Sequence, residues 1–147
     1  MVKTFERIER KYIINKEQKE ELEKVLKKHM VYDAFCTDGG SYWVQNIYYD
    51  TINNSFISKS IQKPDYKAKI RVRHYVGDDI YFLEWKQKTN KIVSKRRVVL
   101  TKQEFDDFFF RHKLPNMTKY IDKQIVNEFK YQFEHNSIIP SLYLSYQ

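Results

Sequence analysis

Four segments of this chain alternate charged with apolar residues at a spacing of two, and that spacing constrains the fold more than anything else in it. They are Arg7-Ile8-Glu9-Arg10-Lys11, Lys69-Ile70-Arg71-Val72-Arg73, Glu84-Trp85-Lys86 and Lys95-Arg96-Arg97. Successive side chains of a strand point to opposite faces. Read as strands, the segments place Arg7, Glu9, Lys11, Lys69, Arg71, Arg73, Glu84, Lys86, Lys95 and Arg97 on one face, and Ile8, Ile70, Val72, Leu83 and Trp85 on the other. An ordinary solvated face mixes acids with bases, because like charges on neighbouring strands repel. Here only Glu9 and Glu84 offset the cations, so the pattern predicts a cationic sheet face that receives a polyanion.

The formal net charge of +8 agrees with an anionic partner but does not choose among phosphates, nucleic acids and membrane surfaces. With 147 residues, 41% of them hydrophobic and 16% aromatic, the chain can bury one core, and a single domain over 1–147 is expected. Cys36 is the one cysteine, which rules out an internal disulfide and fits a reducing compartment. No window approaches the length of uncharged apolar chain that a membrane helix needs, so a soluble, cytoplasmic protein is expected.

The order of elements predicts an α+β fold with a mainly antiparallel sheet. A first strand is expected over 4–14, then a helix opened by a capping box of Asn15 and Gln18, with Leu22, Val25, Leu26 and Met30 as its apolar stripe. Residues 42–50 have strand composition, and 51–65 read as a loop or irregular helix. Strands at 66–75, 80–88 and 91–100 are joined by turns short enough for hairpins. Thr101 and Glu104 form a second capping box before a helix carrying Phe105, Phe108 and Phe109. Ile121, Ile125, Phe129 and Phe133 mark a third helix, and Leu142 to Tyr146 a last strand.

Other chemistries find less support. His29, His74, His112 and His135 show no metal-ligand spacing, and there is no Gly-rich phosphate loop. Glu9 and Glu84 can be read as carboxylate ligands for a metal or as partners that satisfy the surrounding Lys and Arg. A module for single-stranded nucleic acid is the competing class, given twelve Tyr and ten Phe beside the positive charge. Against it, most aromatics fall on the strand faces and helix stripes opposite the cations.

Phe5 to Tyr12, Asn46-Ile47-Tyr48-Tyr49-Asp50-Thr51, Lys69 to Arg73, Phe82-Leu83-Glu84-Trp85-Lys86 and Lys95-Arg96-Arg97 together resemble the ordered motifs of the VTC domain. That family holds polyphosphate polymerases of the vacuolar transporter chaperone type, within the triphosphate tunnel metalloenzymes. The resemblance implies a closed antiparallel β-barrel, a triphosphate tunnel, with helices outside. It also implies transfer of the terminal phosphate of ATP to a polyphosphate chain with Mn²⁺ or Mg²⁺. By motif, Lys11, Arg71, Arg73 and Lys86 would be catalytic, Arg7, Lys69, Lys95 and Arg97 would bind substrate, and Glu9 would hold the metal. The partners implied are ATP, triphosphate or polyphosphate, with a membrane protein or further copies of the chain as possible companions. A non-catalytic polyphosphate-binding or scaffold module is the alternative. Pro140 to Tyr146 resembles the start of the family's second half, so an incomplete barrel, and little catalysis by this length alone, are expected within residues 1–147.

Overall fold

A computed structural model describes residues 10–33, 36, 41–62, 65–90 and 92–147. They divide into two compact parts, one within 7–42 and one spanning 43–147. The smaller part holds α1 (Lys16–Leu26), which begins as its sequence predicts. The Gln18 amide donates to Asn15 Oδ1 at 2.8 Å, and the Asn15 amide donates to Gln18 Oε1 at 2.9 Å. Its stripe does not become core, since Leu22, Val25 and Leu26, and Met30 beyond the helix, all remain exposed. Residues 10–15 have no regular structure, so the described end of the expected first strand is not a strand. A strand persists through its ladder to a neighbour, and none of the described strands pairs with these residues. Arg7 and Glu9 lie outside the described residues.

The larger part is one open antiparallel sheet with helices. Its elements are β1 (Val44–Thr51), α2 (Ser55–Gln62), β2 (Tyr66–Tyr75), β3 (Ile80–Thr89), β4 (Ile92–Thr101), α3 (Lys102–Arg111), α4 (Tyr120–Asn136) and β5 (Ile138–Tyr146). The strand order is β4-β3-β2-β1-β5, and the five strands do not close into a barrel. Both hairpins turn through left-handed residues, Gly77 at φ +101° after β2 and Asn90 at φ +54° after β3, residue types that tolerate this region.

One face of the sheet is the core. Ile70, Val72, Leu83, Trp85, Val98 and Leu100 are buried against Phe108 of α3 and Ile125, Val126 and Phe129 of α4. Helix α3 starts with its predicted box, the Glu104 amide donating to Thr101 Oγ1 at 3.2 Å and the Thr101 amide to Glu104 Oε2 at 2.8 Å. On α4 the predicted four-residue stripe shifts. Ile121 is exposed and Val126 takes part in the core, because steps of four drift around a helix of 3.6 residues per turn.

The polar stretch after β1, expected to be a loop or irregular helix, contains the regular helix α2, and Asp50 is the reason. Buried at the end of β1, its Oδ1 accepts from the amides of Thr51 at 2.7 Å and Phe56 at 2.8 Å, while Oδ2 accepts from Ile57 at 3.0 Å. The carboxylate satisfies the donors that open α2 and complements the helix dipole. Asp50→Ala is expected to lower stability by about 2 kcal/mol, read as a drop in the urea midpoint at unchanged slope.

Candidate anion-binding site

The register of β2, β3 and β4 brings the predicted cations onto one face. Lys69 lies opposite Lys86, and Lys86 opposite Lys95. In the next row with the same orientation, Arg71 lies opposite Glu84 and Glu84 opposite Arg97. Arg73 follows opposite Phe82. Six cations therefore share the face with Glu84, the one acid in these three strands. Lys67 and Lys88, opposite each other and of the same parity, extend it, although neither was singled out from the sequence. Lys11 belongs to the smaller part of the chain and to no strand.

Glu84 organises the centre. It is buried, and each oxygen is claimed by cations from flanking strands. Arg71 donates to Oε2 through Nε at 2.7 Å and Nη2 at 2.6 Å. Lys95 Nζ approaches Oε1 at 2.6 Å, and Arg97 Nε donates to the same oxygen at 2.7 Å. Burial alone would push the Glu84 carboxyl up, but the Lys95 hydrogen bond and the charges of Arg71, Arg97 and Lys95 outweigh it and hold the group at about 2. For Arg71, burial is outweighed by Glu84 and by the Tyr48 hydroxyl, and its value rises. Lys95 goes the other way, because burial and the repulsion of Arg97 and Arg71 exceed the help it receives from Glu84. Three cations around one carboxylate leave the cluster net positive, and Lys69 and Lys86, both exposed, add to it beside the cluster.

Strand β1 and two aromatic rings fix the guanidinium groups. Arg71 Nη1 donates to the Tyr48 hydroxyl at 3.2 Å. Arg73 donates through Nε to Asn46 Oδ1 at 2.9 Å and through Nη2 to the Tyr146 hydroxyl at 3.1 Å. The Arg97 guanidinium carbon lies 4.5 Å from the centre of the Phe82 ring, a cation–π geometry. Asn46, Tyr48, Phe82 and Tyr146 were not picked out from the sequence as part of the site. The parity of β1 points to Asn46 and Tyr48, but only the pairing of β1 with β2 identifies their partners. His74 has the opposite parity; its ring stacks on Tyr81 at 4.4 Å, away from the basic face.

A divalent ion fits the described residues poorly. Mg²⁺ and similar ions are held by one or two carboxylates together with substrate oxygens. Both oxygens of Glu84 are already engaged by cations, and among the described residues no cluster of three His, Cys, Asp or Glu could hold a metal. Of the two readings of Glu84 left open by the sequence, the geometry matches the partner of Lys and Arg.

An antiparallel sheet with α3 and α4 packed on one face and Lys and Arg gathered on the other makes an α+β domain of the fold class of the triphosphate tunnel proteins. Residues 6–147 match the model of the VTC domain, and the chain belongs to that family. No curated protein matches it. Among solved structures, it is similar to a Bacillus halodurans protein proposed to be an adenylate cyclase, with a TM-score of 0.62 and 17% identity. The likeness covers 98% of this chain and 65% of that one, so this chain spans about two thirds of the other's length. At that identity the likeness establishes the shared fold. No helix among the described residues is long and apolar enough to cross a membrane.

Proposed function

We propose that this chain binds ATP, inorganic triphosphate or polyphosphate across its basic face and contributes to transfer of the terminal phosphate of ATP to a polyphosphate chain. The observation that carries the reading is the six-cation face built around Glu84, together with membership of the VTC family. Phosphoryl transfer requires positioning and neutralisation of spreading charge more than a covalent nucleophile. Arg71, Arg73 and Arg97, held by hydrogen bonds and rings, can grip phosphate oxygens in a fixed fork, and Lys69 and Lys86 act as compact charges. Lys11 and Arg7 are further candidates. The Mn²⁺ or Mg²⁺ expected of the family would be held by phosphate oxygens and by residues outside those described, with Glu9 as the candidate. A cytoplasmic location, and a membrane protein or a second copy as companion, belong to the same proposal. The second reading, binding without transfer, uses the same face.

The test is calorimetry with inorganic tripolyphosphate and long-chain polyphosphate over a range of salt concentrations. Saturable binding that weakens steeply with salt is expected, because clustered cations release the counterions of a polyanion. Arg71→Ala should weaken binding at least tenfold. Lys102→Ala, whose ammonium pairs with Asp106 on α3 at 3.1 Å, should not. Absence of saturable heat at low salt overturns the proposal, and polyphosphate accumulation from ATP separates transfer from binding alone.

A further inference from the structure

The basic face holds its arginines in two different ways. Arg71 and Arg97 lie against Glu84, whose carboxylate competes with any ligand for their charge. Arg73, in the next row along the strands, is held by neutral groups. Its Nε donates to Asn46 Oδ1 at 2.9 Å, its Nη2 donates to the Tyr146 hydroxyl at 3.1 Å, and its guanidinium carbon lies 5.9 Å from the centre of the Tyr75 ring. No carboxylate among the described residues pairs with it. Two of its five N–H groups are thereby engaged, and the others are left for a ligand.

Asn46, directly opposite Arg73 on β1, is 2% exposed, and its Nδ2 has no hydrogen-bond partner among the described residues. Turning the amide round would not relieve this, because a guanidinium only donates and must meet the oxygen. A buried donor left unpaired lowers stability. A carboxylate of the same shape would strand no N–H and would hold Arg73 through a charge-assisted bond. It would also cancel the charge of the arginine. As a hydrogen-bond partner the amide is thus the poorer choice, and what it retains is a fixed guanidinium with its full charge.

We propose that Asn46 is a charge-preserving positioning residue, which holds Arg73 through a neutral oxygen so that the whole charge of this arginine meets the anionic ligand. A phosphate oxygen docking at Arg73 finds a guanidinium already oriented and no acid to displace. At Arg71 and Arg97 it shares the guanidinium with Glu84. Glu84 and Asn46 therefore divide the work of the face: the carboxylate keeps a crowd of cations together, and the amide aims one cation without discharging it. The inference rests on the phosphate-binding reading above and adds to it a residue that acts on the ligand through Arg73.

Titrations of the full chain with inorganic tripolyphosphate over a range of salt, for the wild type, Asn46→Asp, Asn46→Ala and Leu144→Asp, test it. Asn46→Asp keeps an acceptor for Arg73 and adds a charge. It is expected to weaken binding about tenfold, the size of one charge-assisted contact, and to reduce the slope of log affinity against log salt by about one. Asn46→Ala loosens Arg73 without discharging it and should weaken binding about threefold. Leu144→Asp places the same charge on the exposed residue opposite Asn46 on β5, and should stay within about threefold because solvent screens it. A residue that only supported the fold would give the reverse order at position 46, since the acceptor is lost in Asn46→Ala and kept in Asn46→Asp. If tripolyphosphate binds the wild type but Asn46→Asp binds at least as tightly as Asn46→Ala, or Leu144→Asp weakens binding as much as Asn46→Asp, the role of Asn46 is overturned and the phosphate reading stands. Should Asn46→Asp fail to fold, a double-mutant cycle decides: Asn46→Ala is expected to have no further effect in an Arg73→Gln background, and persistence of its full effect there overturns the role. If tripolyphosphate does not bind the wild type, the phosphate reading fails and the role falls with it.

Discussion

Replacing Glu84 with alanine is expected to destabilise the fold by about 3–5 kcal/mol, the cost of stranding buried charges that have lost their partner. Arg71, Arg97 and Lys95 all converge on this carboxylate. Without it three cations would face one another in a half-buried site. The measurement is the urea midpoint of the variant against wild type. A change below about 1 kcal/mol would mean that the cations relax into solvent and that Glu84 does not organise the face. The same group predicts a pH dependence. Its carboxyl lies at about 2 in the folded chain against an ordinary value of 4.5, so the folded state binds the proton less readily than the unfolded state. The resulting stability is fully present above about 4.5 and disappears as pH falls toward 2. Glu84→Gln has no carboxylate to titrate, so the gap in stability between it and wild type should be widest at neutral pH and narrow through this window. A gap that stays constant from pH 6 to pH 2.5 would refute the assignment.

The largest expected effect on binding is from reversing charge along the lysine row. Lys69→Glu combined with Lys86→Glu exchanges two exposed cations, opposite each other on β2 and β3, for two anions. Each charge-assisted contact to a phosphate contributes about 1.5–3 kcal/mol, so loss of both, with repulsion added, should weaken tripolyphosphate by more than about a hundredfold at low salt. Because these side chains are exposed, thermal stability should change little. Binding within fivefold of wild type in the double variant would place the ligand elsewhere.

How much of this was legible in the sequence differs from element to element. The 66–75 strand was read with its observed ends, and both capping boxes formed, because alternation and local side chain to backbone hydrogen bonds are encoded within a few residues. The common face of Lys69, Arg71, Arg73, Lys86, Lys95 and Arg97 follows from the same period of two. Where an element depends on a distant neighbour, the sequence is a weaker guide. The described end of the expected first strand is not a strand, and the apolar stripe of α1 is exposed, although both had the right local pattern. The helix after β1 looked irregular because its capping residue, Asp50, belongs to the preceding strand.

Parity within each strand thus determined, from the sequence alone, that this protein carries a cationic sheet face, since parity is a local property of the backbone. Only the tertiary structure decided which cations meet. Strand register set Glu84 between Arg71 and Arg97, and joined Tyr48 to Arg71 and Asn46 to Arg73. A register shift of one residue would turn every one of these side chains to the other face, and what prevents it is the burial of Ile70, Val72, Leu83 and Val98 against helices far along the chain.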